Sequence, residues 1–136
     1  MTPSELPETG VLDTCVLIDA GALAPDALPH YPMVTAITLV ELHQGIAMAK
    51  DPAEKAKRTE KLQTVVAQFD PIPFDARAAA RYGTLAALIV AAGRNPKPRR
   101  MDLMIAATAS SRGLPLFTRN IEDFKGLGDA VTVHPV

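Results

Sequence analysis

The stretch Gly10-Val11-Leu12-Asp13-Thr14-Cys15-Val16-Leu17-Ile18-Asp19 starts as a short apolar strand, presents an aspartate, and continues as a second apolar run. An ionised carboxylate among Val and Leu is costly to bury unless something pairs with it. A carboxylate placed where a buried strand ends escapes that cost by projecting into the crevice above a parallel sheet, where open α/β sheets bind their ligands. Three later segments repeat the arrangement: an apolar strand, then an acidic or amide residue at its end or in the first turn of the next helix. On this reading Asp13, Glu41, Asp102 and the pair Asn120/Asp123 converge on one metal site.

Working outward, residues 1–9, with Pro3 and Pro7, read as a flexible polar tail and residues 10–13 as the first strand. Thr14 is placed to N-cap a helix to about Leu23, broken by Gly21, Pro25 and Pro29. Met33–Ile37 reads as the second strand, and Thr38 opens a helix to about Lys50. Pro52–Phe69 carries Leu62, Val65, Val66 and Phe69 at helical spacing, and its Lys/Glu-rich first half reads as a solvated face. Pro71–Phe74 is a short edge strand, because two prolines would spoil a central one. Asp75 starts a long helix to Ala92, stopped by Gly93. A basic loop, 94–100, leads into the almost wholly apolar and therefore buried helix Met101–Ser111. Leu114–Thr118 is a strand, Asn120–Phe124 a turn or short helix, and Ala130–Val133 the last strand. Strands separated by helices indicate a parallel sheet covered on both faces. The expected fold is α/β, a three-layer α/β/α sandwich of about five strands, in one domain spanning 1–136.

Composition fits that picture. A hydrophobic fraction of 48% with 4% aromatics and no Trp means that Ala, Leu, Val and Ile fill the core. The formal charge of −1 supplies no global basic field, so a nucleic-acid partner would have to be held by local basic clusters or by metal. A lone cysteine forms no internal disulfide and suits a reducing, cytoplasmic setting. The N-terminus lacks the charged and apolar regions of a signal peptide, and the longest apolar run, Leu85–Ala92, is too short to span a membrane.

Each acid also has a bland reading. Asp13 could close an Asx-turn or cap a helix. Thr38-x-x-Glu41 fits a capping box, although Leu39, Val40 and Leu42 surround Glu41 with more apolar character than a cap needs. Asp102 could simply favour the positive end of a helix dipole, and Asn120 and Asp123 could be turn formers. None of these explains why all recur at one topological place. Like charges gathered in a crevice repel and raise one another's pKa unless a cation sits among them. Hard carboxylate and amide oxygens with open positions suit Mg²⁺ or Mn²⁺ rather than zinc. Cys15 reads as a small buried hydrophobe. His30, His43 and His134 carry no assignment. Arg94, Lys97, Arg99 and Arg100, with Arg119 beside Asn120, stand next to the acidic crevice as candidate phosphate contacts; the alternative is a solvated loop.

In this order the segments Leu12-Asp13-Thr14, Thr38-Leu-Val-Glu41-Leu-His-Gln-Gly45, Tyr82-Gly83-x-Leu85 with Gly93-Arg94, Asp102-Leu-Met-Ile-Ala-Ala-Thr108-Ala and Thr118-Arg-Asn120-Ile-Glu-Asp123-Phe124 resemble the PIN-domain ribonucleases, specifically the VapC-like toxins of toxin–antitoxin modules. The resemblance covers nearly the whole chain. It implies a Mg²⁺- or Mn²⁺-dependent endoribonuclease acting on RNA, often tRNA or rRNA, dimeric, and inhibited by a VapB-like antitoxin. The metal-site acids carry over to Asp13, Glu41 and Asp102, with Thr14 and Thr118 orienting carboxylates. Asn120 stands where the family often has a fourth acid, so either its carbonyl or Asp123 would take that place. The cut would leave 5′-phosphate and 3′-hydroxyl ends. A phospho-acceptor domain lacks its paired acid and late lysine here, and a phosphatase of the haloacid-dehalogenase type would want an Asp where Cys15 stands. The runner-up is a non-catalytic RNA-binding or interaction module of the same fold.

Overall fold

The computed structural model describes residues 6–136, so the first five residues of the expected tail lie outside it. The rest of that tail is partly in use. Thr9 belongs to the first strand, and the Glu8 carbonyl accepts from the Tyr31 N–H at 2.7 Å. Strand β1 (Thr9–Leu12) lies between β2 (Tyr31–Met33) and β3 (Leu116–Thr118), and β4 (Val133–Pro135) pairs with β3. All three pairings are parallel, in the order β2-β1-β3-β4.

The sheet has four strands where about five were expected. The segment 71–74 contributes one bridge instead: Ile72 donates to the Val34 carbonyl at 2.9 Å and accepts from the Ala36 N–H at 2.8 Å. Pro71 and Pro73 on either side have no N–H to give, so the ladder cannot lengthen. Both edge strands also carry a proline, Pro32 in β2 and Pro135 in β4.

Among the described residues five α-helices cover the sheet: α1 (Thr14–Asp19), α2 (Ala36–Met48), α3 (Pro52–Gln68), α4 (Ala76–Ala91) and α5 (Arg100–Ser111). Strand alternation divides the core into two layers. Val11 and Leu116 point to Leu85 and Ile89 of α4 and Leu103 and Ile105 of α5. Leu12 and Phe117 point the other way, to Val16 and Leu17 of α1 and Val65 of α3. α2 feeds both layers, through Ile37 on one side and Leu39 and Leu42 on the other. Each fully buried Leu or Ile is worth roughly 1.5–3 kcal/mol against exposure, and five consecutive buried residues, Ile105–Ala109, make α5 a core helix on every side.

Several boundaries shift for identifiable reasons. α2 starts at Ala36, not Thr38, because the Thr35 hydroxyl accepts from the Thr38 N–H and caps it. α1 is capped by Asp13 rather than Thr14 and passes into a 3₁₀ turn at Ala20–Ala22. β3 loses Leu114, whose N–H is used by the Ala109 carbonyl at the end of α5. β4 starts later than Ala130, whose carbonyl is held by Arg81 and Ser110 side chains.

Gly10 lets β1 lie against the buried Phe117 ring: a Cβ there would stand 2.7 Å from Phe117 Cδ1. Gly10→Ala is therefore expected to destabilise the fold by about 1–3 kcal/mol through overpacking, measured as a lowered urea midpoint. Phe117→Leu in the same background should recover part of that loss relative to its own effect alone. A midpoint unchanged by Gly10→Ala would show that the ring yields freely.

Candidate active site

The chain leaves β1 toward β2 on one side and later returns to β3 on the other, so the strand order reverses between β1 and β3. A crevice opens at such a switch point, beyond the carboxyl ends of the strands. Asp13 stands there, one residue past β1 and only 4% exposed. Its Oδ1 accepts from the Thr14 N–H at 2.8 Å, which is the cap of α1. Its Oδ2 accepts from the Thr118 hydroxyl at 2.9 Å. The register of β1 on β3 pairs Leu12 with Phe117, which makes Asp13 and Thr118 the next neighbours. The cap reading of Asp13 is thus true and insufficient: it accounts for one oxygen of two. Burial pushes the Asp13 carboxyl up, opposed by the two hydrogen bonds and reinforced by Asp123.

Glu41 projects from α2, well inside the helix, so the capping-box explanation does not hold: the cap is Thr35. Its Oε1 accepts from the Thr14 hydroxyl at 2.6 Å, and Thr14 Oγ1 lies 3.1 Å from the buried Thr38 hydroxyl. A hydroxyl has one proton to give. With that of Thr14 committed to Glu41, Thr38 donates to Thr14, and a relay Thr38–Thr14–Glu41 fixes the carboxylate. Its pKa is raised by burial and, less strongly, by Asp13. Thr38 was missed in its site role; its place three residues before Glu41, on the same helical face, was the available signal.

Asp102 lies in the first turn of α5, where the helix dipole favours a carboxylate. Even so its pKa is pushed up from 3.8 to about 6, first by burial, then by Asp13, Glu41 and Asp123, with Arg99 opposing. The three acids therefore share one electrostatic environment. Among the described residues no three Asp, Glu, His or Cys side chains close into a preformed cage for an ion. That openness is compatible with Mg²⁺, which keeps several waters and binds through one or two carboxylates plus substrate phosphate.

Asp123 is half-buried and is held by Arg99 at 2.6 Å. Asn120 is exposed and acts through its backbone: its N–H donates to Thr118 Oγ1 at 3.0 Å, and its carbonyl accepts from the Asp123 N–H at 3.0 Å. Three of the basic candidates have protein partners. Arg94 donates to the Lys125 carbonyl at 2.8 Å, Arg99 pairs with Asp123, and Arg119 pairs with Asp19 at 2.6 Å. Lys97 and Arg100 are exposed and have no ion pair among the described residues.

Asp13, Glu41 and Asp102 line one end of a groove of about 1040 Å³. Cys15 and Ile18 of α1, Leu42 and Gly45 of α2, and a face of α3 line the rest. Two sequence expectations change here. Cys15 is exposed in the groove rather than buried, because α1 turns its Val16 and Leu17 to the core instead. Partial desolvation against the groove wall, and then Asp13, Asp102 and Glu41, push its thiol up, which disfavours the reactive thiolate. The charged half of α3, expected to be only a solvated face, supplies a groove wall through Lys57, Arg58 and Lys61.

Residues 10–129 match the PIN domain family model. The chain belongs to the PIN-domain family, in its VapC branch. Ribonuclease VapC5 of Mycobacterium tuberculosis is 37% identical over 134 residues, covering 96% of each chain. The tRNA(fMet)-specific endonuclease VapC of Shigella flexneri is 33% identical over 99 residues, covering 70% of this chain and 68% of that protein. Among solved structures, VapBC-5 of M. tuberculosis, a member of the VapBC family of toxin–antitoxin systems, superposes with a TM-score of 0.80 at 33% identity, covering 96% of this chain and 100% of that one. No helix among the described residues is long and apolar enough to cross a membrane.

The raised Asp102 pKa has a signed consequence. Between its ordinary 3.8 and about 6 the native carboxyl holds a proton that the unfolded chain has released. The native state binds more protons there, so this group's contribution to stability is present at low pH and lost as pH rises through about 6. Asp102→Asn removes that loss. In EDTA the melting-temperature difference, mutant minus wild type, is expected to grow as pH climbs through the window. A difference that stays flat would mean Asp102 titrates as an ordinary aspartate.

Proposed function

We propose that the chain is a divalent-metal-dependent endoribonuclease, the toxin of a toxin–antitoxin pair, held in check in the cytoplasm by a VapB-like antitoxin. The observation that carries this reading is the meeting of Asp13, Glu41 and Asp102 at the switch-point crevice, each with its pKa raised. The names of the relatives support it: one is a ribonuclease, one a tRNA(fMet)-specific endonuclease, and one a toxin–antitoxin complex. Residues 1–136 act as one nuclease unit, and the homodimer implied by the family resemblance belongs to the same proposal.

Asp13, Glu41 and Asp102 would hold Mg²⁺ or Mn²⁺, with Asp123 or the side-chain carbonyl of Asn120 as a fourth oxygen. Such an ion would supply Lewis-acid polarisation of a scissile phosphate and would acidify a bound water. Asp13 retains free lone pairs beyond those used by Thr14 and Thr118, and those two bonds set which way they point. Thr38 and Thr14 hold Glu41 where it orients the attacking water. Cleavage leaves a 5′-phosphate and a 3′-hydroxyl. Lys97 and Arg100 are free to meet phosphate on the Asp102 side, while Arg94, Arg99 and Arg119 shape the rim.

The purified chain is expected to cut RNA in Mg²⁺ or Mn²⁺ and not in EDTA. Asp13→Asn or Asp102→Asn should lower the rate by roughly 10²–10³ or more, the usual cost of losing a preorganised charge at a reacting centre. Sequencing the RNA ends checks the polarity of the cut. Full activity in a clean Asp102→Asn preparation would sink the assignment, and RNA binding without cleavage under any metal would favour the interaction-module reading.

A further inference from the structure

The groove that ends at the acids has a second wall, and its chemistry differs. α3 turns Glu54, Lys57, Arg58, Glu60, Lys61 and Thr64 toward it. Three of these are already spent on the fold, one being Thr64, whose hydroxyl donates to the Glu60 carbonyl at 3.1 Å. Arg58 pairs with Glu54 at 3.0 Å and donates to the Gly45 carbonyl at 2.5 Å, which ties α3 to α2 and sets the width between them. Lys57 and Lys61, one turn apart on the same face, have no ion pair among the described residues. Glu60 beside them is likewise unpaired, so the wall left after internal pairing carries a small positive charge.

We propose that Lys57 and Lys61 form a phosphate-contacting track that leads a single RNA strand along α3 to the acids. The inference rests on the ribonuclease reading and adds where the strand runs. The basic loop before α5 does not line this groove, and two of its four cations are tied to carbonyls or to Asp123. With 4% aromatics in the chain, base stacking cannot be the main grip, so backbone contact has to carry it. Point-charge ammonium groups on mobile stems suit such sequence-tolerant contact. Lys55, on the same helix but turned about half a revolution from Lys57, lies outside the groove and separates a local contact from a mere change in net charge.

The test is binding of a labelled single-stranded oligouridylate in EDTA, in the Asp102→Asn background so that nothing is cut, read as log K against log[salt]. Lys57→Gln with Lys61→Gln should flatten the slope by about 1.4, at about 0.7 per lost single-strand phosphate contact. Lys57→Arg with Lys61→Arg should keep it, Lys55→Gln should leave it unchanged, and Glu60→Gln should tighten binding. An unchanged slope in the double Gln variant, an equal loss per charge from Lys55→Gln, or no measurable binding by the parent overturns the track. So does a set of variants that leaves RNA binding alone and alters binding of an antitoxin peptide, since the groove would then be a protein site. Because no cleavage enters the readout, failure of the nuclease assay alone leaves this result standing.

Discussion

Burial of the Asp13 carboxylate is the constraint around which the rest is arranged. An ion at the end of a central strand needs donors for both oxygens, and the chain supplies one from each side: the first N–H of α1 and the hydroxyl that closes β3. Each donor fixes a piece of architecture. The Thr14 bond starts α1 where β1 stops. The Thr118 bond holds the register of two strands at the point where their direction of connection diverges. Thr14 then extends the network to Glu41 on α2, so three separate stretches of chain are joined through a few polar atoms. Among the described residues no buried side-chain nitrogen or oxygen lacks a hydrogen-bond partner. The fully buried atoms of the polar cluster are therefore hydrogen-bonded, while its charges remain unbalanced.

That imbalance sets the candidate site apart from an ordinary structural carboxylate. A structural carboxylate is normally placed where neighbours lower its pKa, as the half-exposed Asp75 is by the Ala78 N–H and Arg112. Here burial and like charge move Asp13, Glu41 and Asp102 the other way. Among the described residues Arg99 is the cation that opposes the shift at Asp102, and its guanidinium is shared with Asp123. Holding three acids together in this way costs stability, and a cation bound only by the native state would return it.

How much of this was legible in the sequence depended on the range of the interaction concerned. α4 and α5 were readable because periodicity and end signals are local: Asp75 does cap α4, and Gly93 at φ 77° does end it. The start of α2 misled because Val34, Thr35 and Ile37 look like strand residues, yet a cap bond from Thr35 outweighed β-branching. The fifth strand failed for a reason the prolines had already announced, and only its length was overestimated. Bringing Asp13, Glu41 and Asp102 to one place was inferable from topology, since strand ends face one crevice. The Thr118 bond spans 105 residues and the α3 wall depends on how two helices pack, and neither leaves a mark in a local pattern. Cys15 looked apolar beside its neighbours, but which of two adjacent helical positions faces solvent is decided by a rotation that the short α1 does not reveal.

The prolines at the borders of the sheet bear on company rather than on folding. β2 and β4 are the outer strands, each with a proline in its three residues, and Ile72 occupies part of the β2 border between two more. An exposed strand margin is ordinarily an invitation to another chain, whether a partner adding its own strand or identical copies stacking into fibres. Missing N–H groups spoil that template on both sides. Copies of this chain are therefore kept from zipping edge to edge into aggregates. A protein partner would then have to recognise this molecule through side chains and grooves, so recognition would be written in residue identity, which can change without touching the backbone scaffold.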